Sequence, residues 1–185
     1  SVTILPGIAQ ALSDLADSVL ASALVIAREN VPESACVNIS IIAMGKCGAR
    51  ELNYASDVDV MFVVEPAFSA TEEQAIAAGT DLAKLVMKVC STVTSEGTIW
   101  DVDAGLRPEG KSGALVRTLE SYVDYYQRWA QTWEYQALLK ARTMAGDFDL
   151  GDRFVSAITP LIWQASARPN FVGDVQAMRE RVADL

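Results

Sequence analysis

Two aspartates one residue apart, Asp57 and Asp59, open the apolar run 60–64, with Ser56 immediately before them. A strand alternates its side chains, so both carboxylates leave one face. Ahead of them the apolar run 39–44 leads into Gly45 and Gly48, which stand on either side of Lys46. Glycines after a buried strand let backbone N–H groups come close to an anion, and a lysine beside them adds positive charge. Carboxylates converging beside such a turn make a hard-oxygen site suited to Mg²⁺. The chemistry open to this set is metal-dependent phosphoryl or nucleotidyl transfer.

A two-metal displacement needs a further oxygen ligand opposite the first pair. Asp101 and Asp103 lie on one face of a strand predicted over 98–104, and alternation does not choose between them. Downstream, Arg107, Lys111 and Arg117 flank a loop bearing Pro108, Gly110 and Gly113, a place to hold phosphate oxygens. Each piece alone has an ordinary structural use, as a solvated strand end, a tight turn or a loop arginine. Their order is the stronger signal: glycine turn, paired acids on a strand, helix, third acid on a strand, basic loop.

The chain has no histidine. That excludes Ser-His-Asp and Cys-His catalysis and the HExxH metal site, leaving acid–base work to Asp, Glu, Lys, Tyr or a metal-bound water. A net charge of −9 leaves no basic stripe to neutralise a nucleic-acid backbone. The three cysteines, Cys36, Cys47 and Cys90, are widely spaced without a zinc pattern, as expected of buried thiols in a reduced, cytoplasmic setting. Asp14 and Asp17 interrupt the apolar N-terminal pattern, so neither a signal peptide nor a membrane span is expected. The start lacks an initiator methionine and the end breaks off within a helical pattern, as in a piece of a longer protein.

The elements that must position the acids follow from periodicity. Apolar residues at three- and four-residue spacing predict a helix over 8–28, closed by Asn30 and Pro32. Strands are expected over 36–44 and 58–64, with Pro66 ending the second. Thr71 followed by Glu72 and Glu73 is a helix start, and that helix should run to about residue 92. A short fourth strand is expected over 114–117, and everything after Thr118 reads as helical. Leu119, Tyr122, Tyr126, Trp129 and Trp133 form an aromatic stripe expected to be core, and two last helices are predicted over 152–166 and 172–185. The fold class is α+β: a helical segment at 1–35, a mixed sheet flanked by helices over 36–118, and a helical extension over 119–185.

Gly-Lys-x-Gly-x-x-Glu-Leu-Asn-x-x-Ser-Asp-x-Asp over 45–59 resembles the signature of DNA-polymerase-beta-like nucleotidyltransferases. It is more closely similar to the bacterial glutamine synthetase adenylyltransferase family, as are Val-Asp-Ala-Gly-Leu-Arg-Pro over 102–108, Tyr125-Tyr126, Trp133-Glu134 and Lys140-Ala-Arg142. The likeness extends over residues 41–147. It implies a nucleotidyltransferase core in which Asp57, Asp59 and Asp103, rather than Asp101, hold Mg²⁺ and carry the reaction. Gly45, Lys46 and Ser56 would position phosphates, and Arg107 and Lys111 would neutralise charge. The implied partners are adenylylated glutamine synthetase, ADP or ATP, inorganic phosphate and a nitrogen-signalling regulatory protein, with no nucleic acid and no membrane. The stretch 45–54 is nearer the adenylyl-removing half of that family, which works by phosphorolysis. The forward transfer from ATP and a non-catalytic nucleotide-sensing module are the alternatives. Gly105 departs from the family pattern, where an arginine often precedes Leu-Arg-Pro.

Overall fold

The computed structural model describes residues 4–166. Helix α1 (Ile4–Asn30) is longer than its periodic core, and Ala16, Leu20, Ala23, Leu24 and Ala27 form its buried stripe. By length and composition α1 could cross a bilayer; its stripe instead packs on α3 (Glu72–Ser91) and β5 (Arg142–Gly146). A 3-10 turn, Pro32–Cys36, then delivers the chain into the sheet.

Strands β1 (Val37–Ala43) and β2 (Val58–Pro66) pair antiparallel, with Ile39 opposite Val64 and Ala43 opposite Val60. Both are covered on each face, which is why they read as continuous apolar runs rather than alternating ones. On the far side of β1 lies β5, antiparallel and with a register shift between Ile41 and Ile42. On the far side of β2 lie two short parallel strands: β3 (Val102–Asp103) beside Val58 and Asp59, and β4 (Val116–Thr118) beside Phe62–Val64. The sheet is thus mixed, in the order β3-β2-β1-β5 with β4 also on β2.

Between β1 and β2, Gly45–Gly48 forms a single helical turn, α2. Helix α3 begins at a capping box: Thr71 accepts from the Gln74 N–H and the Gln74 side chain accepts from the Thr71 N–H. The strand predicted over 98–104 shortens to two residues, because β2 offers a partner only from Val58 onward. The residues before it are held otherwise, by Trp100 N–H to the Cys90 carbonyl and by Trp100 Nε1 to the Ser56 carbonyl.

The all-helical expectation after Thr118 is corrected. Helices α4 (Leu119–Arg128) and α5 (Thr132–Leu138) are followed by strand β5, then by α6 (Phe148–Ser166). Helix α6 starts before the expected residue 152, because Asp147 caps it by accepting from the Leu150 N–H. The helix predicted over 172–185 lies outside the described residues. Helices α1 and α3 cover one face of the sheet; α4, α5 and α6 build the layer on the other, so residues 119–166 share the core. In that second layer Tyr122 and Tyr126 are fully buried, and the Tyr122 hydroxyl donates to the Phe62 carbonyl at 3.0 Å. Trp129, expected in the stripe, is 73% exposed.

Candidate active site

Strand pairing brings the acids together. Asp59 and Asp103 are direct neighbours across the parallel β2–β3 pair. Asp59 is half-buried, and its carboxyl is held above its ordinary value, first by burial and then by the negative charges of Asp103 and Asp57, with Lys46 opposing. Asp57 is exposed just before β2, near enough for its charge to act on Asp59. Asp101 lies before β3: its carbonyl accepts from the Val58 N–H, and it lines a cavity together with Ser56, Asp57 and Trp100. Of the two acids that alternation left open, Asp103 is the one opposite Asp59.

Asp103 is not turned into hydrocarbon. One of its carboxylate oxygens accepts from the Gly105 N–H at 2.8 Å, and the other lies 3.7 Å from the Lys111 ammonium. Among the described residues no three acidic or cysteine side chains yet stand in metal-holding geometry. The three carboxylates are neighbours that repel one another, not a closed cage. Their chemistry nonetheless suits a hard divalent cation, whose charge would offset the repulsion that raises Asp59.

The two glycines serve different purposes. Gly45 has φ +53, and a Cβ there would sit 2.6 Å from Asp59 Oδ2, so the carboxylate rests directly on the turn. Gly48 is needed for backbone approach: a Cβ would collide with the carbonyl oxygens of Lys140 and Ala43. Its N–H donates to the Met44 carbonyl, and those of Ala49, Arg50 and Glu51 are likewise bonded within the turn. Those four amides are therefore not open to an anion. Lys46 is exposed beside Asp59, and the Ser56 hydroxyl donates to Asn53 Oδ1 at 2.7 Å.

Arg107 is 9% exposed, and its guanidinium donates to the carbonyls of Ala104 (2.7 Å), Lys111 (2.9 Å) and Gly113 (3.2 Å). An arginine placed so braces the loop from inside. Lys111, 80% exposed on the same loop, is the cation that reaches the acids.

Sequence reasoning missed the ion pairs that seat the glycine turn. Arg142, at the start of β5, binds Asp17 of α1 through two bonds of 2.7 and 2.8 Å, and also donates to the Cys47 carbonyl. Arg50 pairs with Asp14, and Lys140 with Glu51 at 2.8 Å. The signal was present as acids at 14 and 17 inside an apolar helix, but Asp14's partner follows the glycine turn and Asp17's lies in a strand that periodicity did not reveal. Cys47 is buried and its thiol pushed up to about 11, chiefly by burial, so it stays protonated and is no nucleophile.

The model of the family described as glutamate–ammonia ligase adenylyltransferase matches residues 2–157. Among curated relatives, proteins named bifunctional glutamine synthetase adenylyltransferase/adenylyl-removing enzyme are similar to the chain. The one from Streptomyces avermitilis is 59% identical over 92% of this chain and 17% of its own length. Those from Streptomyces coelicolor and Cutibacterium acnes are 57% and 51% identical, over 94% and 98% of this chain and 18% and 19% of theirs. The chain therefore spans under a fifth of the length of these relatives. With the acid pair, the glycine turn and the match running together over most of its length, the chain belongs to the glutamate–ammonia ligase adenylyltransferase family.

Proposed function

We infer that this chain is the nucleotidyltransferase core of an adenylyl-removing unit, which takes AMP from an adenylylated tyrosine of glutamine synthetase by phosphorolysis. The observation that carries this reading is the parallel pairing of Asp59 with Asp103, beside Asp57 and against Gly45. The direction of transfer rests on the likeness of residues 45–54 to the adenylyl-removing half. Adenylylated glutamine synthetase, inorganic phosphate and ADP are then the partners, a nitrogen-signalling protein the regulator, and the cytoplasm the setting.

Asp57, Asp59 and Asp103 would hold Mg²⁺, which supplies Lewis-acid stabilisation of charge on phosphoryl oxygens and on the departing oxygen. The chain's own residues do the rest. Lys46 and Lys111 flank the acids and offset the negative charge that a phosphate brings. Gly45 gives the Asp59 carboxylate its seat, and Arg107 keeps the loop that presents Lys111 in place. A phosphate oxygen attacks the phosphorus of the tyrosine-bound AMP, forming the new P–O bond of ADP as the bond to tyrosine breaks. Free tyrosine has a pKa of about 10, so the phenolate takes its proton from solvent at neutral pH. Phosphate is already anionic near neutrality and needs no general base, in keeping with a chain without histidine.

The test is to incubate the chain with adenylylated glutamine synthetase, phosphate and Mg²⁺, following ADP and the restored tyrosine. One ADP per tyrosine restored supports the reading. Absence of ADP, with incorporation of AMP from labelled ATP into unmodified glutamine synthetase, would reverse the direction. That second reading is kept because the relatives' names carry both activities. Nucleotide binding without turnover in either direction would leave only a sensing module.

A further inference from the structure

A second polar cavity, of about 460 Å³, lies between the loop after β3 and the outer face of α4. It is built around Arg117 on β4. The guanidinium lies over the Tyr125 ring, 5.5 Å from its centroid, and donates from Nη2 to Glu109 Oε2 at 2.6 Å. A longer contact of 3.4 Å runs from Nη1 to the Ser121 hydroxyl. Its Nε is buried and has no hydrogen-bond partner among the described residues. Arg117 is thus held flat on an aromatic face, with one anionic oxygen on a fork that could take two.

Glu109, the group supplying that oxygen, lines the cavity from the loop side. Its side chain is 55% exposed against 18% for Arg117, and its backbone φ of 63 points it in from a tight turn. Arg128 stands at the rim, 65% exposed and only loosely paired with Asp124 at 3.8 Å. With Glu109 swung out, two guanidinium groups face the cavity against the single carboxylate of Asp124.

We propose that this cavity is a phosphoryl-binding site in which Glu109 stands in for the ligand, and that an entering phosphoryl group displaces Glu109 from Arg117. Glu109 sits two residues from Lys111, the cation that reaches Asp103, so displacement at the cavity is transmitted to the acid cluster along one short loop. The proposal rests on the cavity's own geometry and stands whichever way the transfer at the acids runs.

Trp129 lines the cavity and is 73% exposed, which makes its fluorescence the reporter. Inorganic phosphate and ADP are titrated separately at constant ionic strength without metal, with Trp129→Phe as the background and calorimetry as the second readout. Saturable binding of phosphate alone assigns the site to the free anion; binding of ADP but not phosphate assigns it to a nucleotide's terminal phosphate. Either supports phosphoryl recognition if Glu109→Gln tightens binding, by up to about fivefold, the competition that an exposed ion pair offers. Arg117→Met should abolish binding, and Arg117→Lys, which keeps the charge but not the fork, should weaken it in a chain whose circular dichroism is unchanged. Asp57→Asn should leave binding intact even if phosphorolysis is lost, which separates this proposal from the reading of the acids. No saturable binding of either probe by the wild type and Glu109→Gln would overturn it, as would affinities unmoved by Glu109→Gln and Arg117→Lys.

Discussion

One methyl group at Gly45 tests whether the glycine turn exists to seat the Asp59 carboxylate. In Gly45→Ala the backbone stays at φ +53, a left-handed conformation that costs an alanine roughly 1–2 kcal/mol. For a chain of this size that lowers the melting temperature by roughly 2–8 °C. The new Cβ would also lie 2.6 Å from Asp59 Oδ2, where ordinary contact begins at 3.4 Å, so the carboxylate must retreat by most of an ångström. A displacement of that size at a reacting centre costs on the order of 10²-fold in rate. Gly97→Ala is the control: its φ is +101, but nothing lies within 4 Å of the added Cβ. It should lose stability from strain and keep its activity. Melting is followed by circular dichroism and turnover by ADP release below the melting range. Wild-type turnover in Gly45→Ala, or an equal loss in Gly97→Ala, would refute the argument that Gly45 acts through Asp59.

Asp59→Asn should lose phosphorolysis yet melt above the wild type at neutral pH. Burial and the charges of Asp103 and Asp57 raise the folded value of Asp59, so its ionisation costs stability above that value. The difference in melting should close as pH falls below the ordinary carboxylate value of about 4, where folded and unfolded chains both carry the proton. Arg107→Lys breaks the three-carbonyl brace, lowers stability by about 1–3 kcal/mol and reduces turnover by freeing the loop that bears Lys111, as paired melting and rate measurements would record. Thr71→Ala removes the cap of α3 and costs about 1 kcal/mol in denaturant unfolding. Its rate should not change.

The central hairpin was legible because β1 and β2 are buried on both faces and declare themselves as unbroken apolar runs. Helix α3 was legible from its cap and its acidic first turn. Strand β5 was not: Arg-Thr-Met-Ala-Gly holds one β-branched residue, continues the apolar spacing of Ala137 and Leu138, and becomes a strand only by pairing with the edge of β1. Tertiary pairing there overrides local preference. The neighbourhood of Asp57 and Asp59 was legible as a DxD, whereas between Asp101 and Asp103 alternation was silent, the family likeness favoured Asp103, and the register with β2, which no local pattern carries, sets Asp103 opposite Asp59. The bonds of Arg107 to its own loop were not legible, because an arginine in a glycine-bearing loop looks the same in sequence whether or not it braces the loop's carbonyls. Trp129 kept the helical spacing of the stripe but falls at the C-terminal cap of α4, beyond the buried layer.

The proposed chemistry needs Asp57, Asp59 and Asp103 to bind divalent metal together. Mn²⁺, which shares the oxygen preference of Mg²⁺, allows that to be read directly by electron paramagnetic resonance titration. The wild type should take up Mn²⁺, Asp103→Asn and Asp59→Asn should lose it, and Asp101→Asn should bind as the wild type does. Undiminished binding in Asp103→Asn, or its loss in Asp101→Asn, would contradict the assignment.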